Sequence, residues 1–216
     1  TVLSDLKKVK KMGHYFITGA SSGIGKALSI ALASEGHIVS AVARRIEHLK
    51  KIKGKHKNIN IFRADVCDRL EIKNAIEKSI KSGGNIDCAI LNAGKYLPLG
   101  GLELNSEEFY GHMMVNYMGV IHSLDSIIPK FIGLQTGHIV IMGSTAGYGG
   151  LPRSAAYGPT KAALSNLAEA LHIDLTPLGI KVQIISPGFV ETEATAINDF
   201  KMPQIISASK AADNII

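Results

Sequence analysis

Two apolar patterns alternate along the chain. Short runs of four to six apolar residues suit buried strands, and between them apolar residues recur at helical spacing. The run from His14 to Thr18 predicts a first strand. A helix follows over 26–35, with apolar positions 28, 31 and 32, and Gly36 stops it. Strands are predicted at 38–43, 59–63, 86–91, 137–142 and 181–185. The segment 86–91 is nearly all apolar, as a strand covered on both faces should be. Helices are predicted at 47–53, at 68–82 with Asp68 as cap, and at 105–128, ending before Pro129. Two more are predicted at 157–175 and at 208–216, the last capped by Ser207. Residues 189–203 lack clear periodicity. Strict alternation of strand and helix implies an α/β fold: one doubly wound parallel sheet with helices on both faces. Such a sheet binds ligands beyond the carboxyl ends of its strands. Residues 1–12 read as an N-terminal extension, either a short helix using Leu3, Leu6 and Val9 or a disordered segment, and 13–216 as one domain.

Composition narrows the class. The chain has 216 residues, 46% of them hydrophobic, which is ample for a buried core. Cys67 and Cys88 have apolar or strand-like surroundings and no metal-ligand spacing. They read as core thiols in a reducing compartment, and no metal site is expected. No signal peptide and no membrane-spanning run is legible, so a cytoplasmic protein without membrane association is expected. The net charge is +6, with lysine runs at 7–11 and 50–57. No aromatic residues interleave with these runs, so a solvated surface is a better reading than nucleic-acid binding. A positive field would also attract a phosphorylated cofactor.

The first strand runs into Gly19-Ala-Ser-Ser-Gly23-Ile-Gly25. Glycines let backbone approach a pyrophosphate, and the helix that follows offers free N–H groups and a positive dipole end. The spacing is G-x-x-x-G-x-G rather than G-x-G-x-x-G, and alone such a cluster can be merely a tight turn. NAD-binding units of this kind place an acidic residue after the second strand, to bond the ribose hydroxyls. Here Arg44 and Arg45 stand there instead. A guanidinium binds a 2′-phosphate bidentately, so NADP(H) is expected over NAD(H). Attraction at 4 Å is worth ~1 kcal/mol in water and ~4 kcal/mol at an effective dielectric of 20, enough to discriminate. The alternative is a pair of solvated arginines. Asp65 is a candidate acceptor for an adenine amino group or a helix cap. Asn92-Ala93-Gly94 again offers small residues at a strand end.

Strand 137–142 delivers Ser144 to the same expected edge, and Tyr157 and Lys161 fall four residues apart on one helix face. A phenol has a reference pKa of about 10, and a nearby cation favours its ionised form. The group reads as a proton-transfer site, with Ser144 holding a substrate oxygen, or as a glycine-rich loop with a packed tyrosine. Asn116 lies in the most apolar part of its helix and must find partners, as a core amide or a functional one.

Together these motifs resemble the short-chain dehydrogenase/reductase family, over nearly the whole chain and in the family's order. The resemblance implies a Rossmann-type sheet and a catalytic tetrad of Asn116, Ser144, Tyr157 and Lys161. Ser144 would polarise the substrate carbonyl and Tyr157 would be the general acid or base. Lys161 would lower the pKa of Tyr157 and bond the nicotinamide ribose. Asn116 would hold a water of a proton relay. Cofactor contacts are implied at Gly19, Ser21, Ser22, Gly23, Ile24 and Gly25, and at Arg44, with Arg45 a weaker candidate. Asp65, Val66, Asn92, Ala93, Gly94, Tyr157, Lys161, Pro187, Gly188, Val190 and Thr192 complete that set.

Activity then follows as an NADP(H)-dependent interconversion of a carbonyl and a secondary alcohol. A ketoreductase for a carrier-bound 3-oxoacyl chain is the alternative, and a non-catalytic NADPH-sensing protein a further one. Phe200, Met202 and Ile205 suggest an apolar lid and a small hydrophobic substrate. Family members pair the helices near 105–128 and 157–175 between subunits, which implies a homodimer or homotetramer. They usually carry a further strand and tail after the final helix seen here, so the sequence is expected to be incomplete there.

Overall fold

The computed structural model describes residues 12–216. Of the extension expected at 1–12 only Met12 is among them, so its helix and the lysine run at 7–11 lie outside the described residues. Strands β1 (His14–Thr18), β2 (Ile38–Ala43), β3 (Ile59–Arg63), β4 (Cys88–Leu91), β5 (Gly137–Met142) and β6 (Ile180–Ile185) form one six-stranded sheet. The order is β3-β2-β1-β4-β5-β6 and each pairing is parallel. Order reverses between β1 and β4, and a crevice opens at such a switch point.

Strand periodicity sorts the core into two layers. Phe16, Val42, Ile139 and Ile141 point into one cluster, with helices α3 (Arg69–Gly83), α5 (Gly119–Leu134) and α6 (Tyr157–Leu175) packed over it. Ile17, Ala41, Val140 and Met142 alternate into the other, under α1 (Gly23–Ser34), α2 (Ile46–Lys53) and α7 (Ala208–Ile215). Leu28, Ile72 and Ile76 are fully buried, each contributing about 1.5–3 kcal/mol of transfer free energy. Asp68 caps α3 by accepting from Leu70 N at 2.8 Å and Glu71 N at 2.9 Å. Ser207 caps α7 by accepting from Lys210 N at 3.1 Å.

Three departures from the sequence reading have physical causes. Helix α1 begins at Gly23, so the glycine loop is its first turn, with extended Ser22 as cap. The helix expected at 105–128 runs instead from α4 (Ser106–Met113) through a π turn (Met114–Met118) into α5, which passes Pro129. Proline removes the N–H that would bond the Asp125 carbonyl. Both residues are exposed, where water can take that carbonyl, and buried Ile127 and Phe131 anchor the helix on either side of the break. The aperiodic stretch contains the two-residue strand β7 (Val190–Glu191), which pairs parallel with β8 (Ile206–Ser207) just beyond it. They are too short to leave a period-two signal.

Cys67 and Cys88 are free thiols, and burial pushes Cys88 up to about 12. Among the described residues no helix is long and apolar enough to cross a membrane.

Candidate active site

A cleft of about 780 Å³ runs along the carboxyl ends of the strands. Gly19, Arg44, Asn92, Ser144 and Pro187, drawn from five different strand ends, all line it.

The cofactor half is built on close backbone approach. Gly19 has φ +68°, and a Cβ there would lie 2.8 Å from Ala93 Cα. A Cβ on Gly25 would lie 2.5 Å from both Asn92 Nδ2 and Gly19 O. Asn92 is the brace between the two loops. Its Nδ2 donates to Thr18 O at 3.1 Å and Gly19 O at 3.4 Å, and its backbone N donates to Thr18 Oγ1 at 3.0 Å. Ala93 N also donates to Thr18 Oγ1, at 3.1 Å. The side chain of Asn92 thus shapes the turn, while the cradle itself is backbone.

The two arginines separate. Arg44 is largely exposed and pairs with Asp65 at 3.6 Å. Asp65 also accepts from Cys67 N at 3.0 Å, so it turns the loop after β3. Arg45, the weaker candidate by sequence, is the one on the glycine loop. Its Nη2 donates to Ser22 Oγ at 2.7 Å, and Nε and Nη2 each reach Ser21 Oγ at 3.3 Å. Its Nη1 donates to Glu193 Oε2 at 2.7 Å.

In the other half, Ser144 ends the loop after β5 and opens a 3₁₀ turn (Thr145–Gly147) by accepting from Ala146 N at 3.2 Å. This turn lies directly against α6. A Cβ on Gly147 would come within 2.9 Å of the Lys161 carbonyl carbon, and one on Gly158 within 3.1 Å of Ala146 O. The glycines around Ser144 therefore dock its turn on the helix that carries Tyr157 and Lys161.

Lys161 is buried, and its Nζ donates to Met142 O at 2.7 Å. Burial pushes its ammonium down to about 8. An ammonium has three donors and this bond uses one, so two remain for a ligand in the cleft. Nζ stands 5.5 Å from the Tyr157 ring centroid. The expected lowering of the Tyr157 pKa by Lys161 is not what this geometry gives. Burial raises the phenol above its usual value, the Ser144 hydroxyl pulls it back, and the Tyr96 phenol adds a smaller rise.

Asn116 is fully buried in the π turn. Its Nδ2 donates to Lys95 O and Thr160 Oγ1, both at 3.0 Å, and its Oδ1 accepts from Lys95 N at 2.6 Å. Both amide donors are thereby used, so the side chain acts as a clamp on the loop after Gly94. A π turn inserts one extra residue, a device common at functional sites, and a Cβ on Gly119 just after it would lie 2.8 Å from Val66 Cγ2.

Four further residues join the site without a motif to announce them. Thr160 donates to Tyr157 O at 2.7 Å and so links Asn116 to the first turn of α6. Tyr96 packs edge-on against Tyr157 with centroids 5.1 Å apart, and its hydroxyl donates to Asn198 Oδ1 at 2.8 Å. Glu193 reaches Arg45 from the far end of the chain. Thr160 adjoins Lys161, Glu193 adjoins Thr192 and Tyr96 lies two residues beyond Gly94, whereas Asn198 has no such signal in sequence. Gly23, Ile24, Val66, Gly188, Val190 and Thr192 also line the cleft.

The glycine cradle and the cluster of Ser144, Tyr157 and Lys161 share one edge of a doubly wound sheet. The chain belongs to the short-chain dehydrogenase family, whose model, described as short chain dehydrogenase, matches residues 14–201. It is 32% identical over 206 residues to an uncharacterized oxidoreductase of Myxococcus xanthus, covering 91% of this chain and 79% of that one. Among solved structures it resembles the closed form of serine dehydrogenase complexed with NADP+, with 25% identity, TM-score 0.86, and 94% and 87% of the two chains covered. It also resembles 3-ketoacyl-(acyl-carrier-protein) reductase from Brucella melitensis complexed with NADH, with 25% identity, TM-score 0.88, and coverage of 94% and 88%.

The residues present fit a nicotinamide dinucleotide. Two glycines close the turn where a Cβ would collide with neighbouring protein atoms, α1 points its N-terminus at the cradle, and a buried ammonium retains free donors.

Proposed function

We propose that the protein is an NADP(H)-linked carbonyl reductase or alcohol dehydrogenase that uses Tyr157 as general acid or base. The observation that carries this reading is the docking of the Ser144 turn onto the first turn of α6, beside the glycine cradle. A bound nicotinamide supplies or accepts the hydride. Ser144 and Tyr157 then hold the substrate oxygen, on which negative charge grows during reduction. A phenol held above its usual pKa keeps its proton at neutral pH, the form a general acid needs. Lys161 contributes fixed positive charge and hydrogen-bond donors near the sugar of the cofactor. Asn116 and Thr160 set the position of Tyr157 through Tyr157 O and the Lys95 backbone.

Arg45, Ser21 and Ser22 would hold a 2′-phosphate, with Arg44 beside them. This inverts the ranking of the arginines made from sequence. Phe189 and Phe200, stacked edge-on at 5.7 Å, give the substrate end an apolar wall. Resemblance to the Brucella reductase, with a net charge of +6, favours a carrier-bound 3-oxoacyl substrate as a second reading. We further propose a homodimer or homotetramer built on α4, α5 and α6, where Tyr110, Met113, Ile132 and Ile173 are exposed. A monomer at micromolar concentration in sedimentation would count against it.

The deciding experiment is a panel of free ketones, alcohols and acyl-carrier thioesters with NADPH and NADH, followed at the nicotinamide absorbance. Turnover with NADPH on hydrophobic ketones supports the first reading; turnover confined to the thioesters supports the second. No turnover with any member, despite measured dinucleotide binding, would count against an enzyme.

A further inference from the structure

Arg45 joins the glycine loop, through Ser22, to the segment after β7, through Glu193, which lies 148 residues from Arg45 in sequence. The contact is reinforced by packing: a Cβ on Gly23 would lie 3.0 Å from Thr192 Cγ2, so loop and segment touch at that point. Glu193 is held below its usual carboxylate value, chiefly by its hydrogen bond to Arg45 and also by one from Ser22. The same Arg45 and Ser22 therefore serve two anions: the Glu193 carboxylate in the structure, and the phosphate assigned to them above. The other arginine is likewise compensated, by Asp65 at 3.6 Å.

We propose that Glu193 is a specificity-determining residue, an internal carboxylate that competes with the 2′-phosphate of the cofactor for Arg45 and Ser22. This rests on the reading of the cleft as a dinucleotide site. A phosphate near −2 outcompetes a single carboxylate for a guanidinium, and the displaced Glu193 is then repelled by it. Binding of the phosphorylated cofactor thus releases the 192–198 segment from the glycine loop, whereas NADH leaves the pair intact. NADP(H) preference is thereby smaller than two arginines alone would give. Both partners are partly exposed, so the effect is that of a surface ion pair.

The test is Glu193→Gln, with Arg45→Gln as its companion. Kd values are measured by titration for NADPH, NADH, 2′,5′-ADP and 5′-AMP. Glu193→Gln should tighten NADPH and 2′,5′-ADP by about two- to fivefold and leave NADH and 5′-AMP within about twofold. In the protein alone, amide hydrogen exchange at 192–198 should quicken in the same variant. Unchanged or weaker NADPH binding by Glu193→Gln, where Arg45→Gln weakens it, overturns the competition while leaving the phosphate assignment standing. Equal binding of NADPH by Arg45→Gln and the parent overturns the phosphate assignment itself, and the competition with it.

Discussion

The two walls of the cleft are held by different physics. On one side the glycine cradle meets the loop after β4, and the Ser144 turn meets α6, at distances where an added Cβ would lie 2.5–2.9 Å from its neighbour. Those contacts are steric and cannot yield by rotating a side chain. On the other side, the stretch from Phe189 to Ile206 is tied down mainly by side chains. Glu193 meets Arg45 at 2.7 Å, Asn198 accepts from Tyr96 at 2.8 Å, and Arg153 meets Asp199 at 3.4 Å. The two exposed ion pairs contribute about 0–1 kcal/mol each. Elements that move during binding come from the weakly held end of a structure. On this contrast we propose that the chemistry belongs to the rigid wall and substrate choice to the soft one.

The largest expected effect tests the chemistry of the rigid wall. Tyr157→Phe keeps the ring, its edge contact with Tyr96 and the fold, and removes the proton. Turnover should fall by about 10²–10⁴-fold with dinucleotide affinity unchanged. Parent-level turnover by that variant would refute the mechanism.

Lys161 provides a test in stability. Its ammonium titrates at 10.5 when exposed and at about 8 in the fold. Between those values the unfolded state binds more protons, so stability should rise with pH from about 8 to about 10.5. The gain is on the order of 3 kcal/mol. Lys161→Met should flatten that rise in urea midpoints recorded across the range; the same slope in the variant would assign it to other groups.

Steric rigidity is tested by Gly25→Ala, whose Cβ meets Asn92 Nδ2 and Gly19 O at 2.5 Å. It should cost about 1–3 kcal/mol and weaken dinucleotide binding. Gly149→Ala, with nothing within 4 Å of its Cβ, is the matched control and should be near neutral. Equal urea midpoints for the two variants would dissolve the contrast between the walls.

The smallest effect lies on the soft wall. Tyr96→Phe loses the hydrogen bond to Asn198 and keeps the ring against Tyr157. That bond is worth about 0.5–1.5 kcal/mol, so KM for the carbonyl substrate should rise about two- to tenfold while kcat holds. A fall in kcat with KM unchanged would move Tyr96 from the substrate wall to the proton transfer.

Local pattern and chemistry determined much of this. Strands β1, β2, β3 and β5 lie where the sequence predicts them, because buried parallel strands need unbroken apolar runs. The placement of Ser144, Tyr157 and Lys161 was legible from strand end and helical spacing, and the glycine turn from its composition. Only the tertiary structure decided how these parts meet. Helical period does not reveal that Asn116 sits in a π turn and clamps Lys95, since the extra residue is a response to packing. Adjacent arginines have the same chemistry on paper, yet Arg45, just before α2, turns to Ser21 and Ser22 while Arg44 turns to Asp65. Glu193 and Tyr96 carry no motif because their partners lie about a hundred residues or more away. Spacing records what neighbours along the chain require. Contacts across the cleft, and the burial that raises Tyr157 while lowering Lys161, exist only once the sheet has brought its strand ends together.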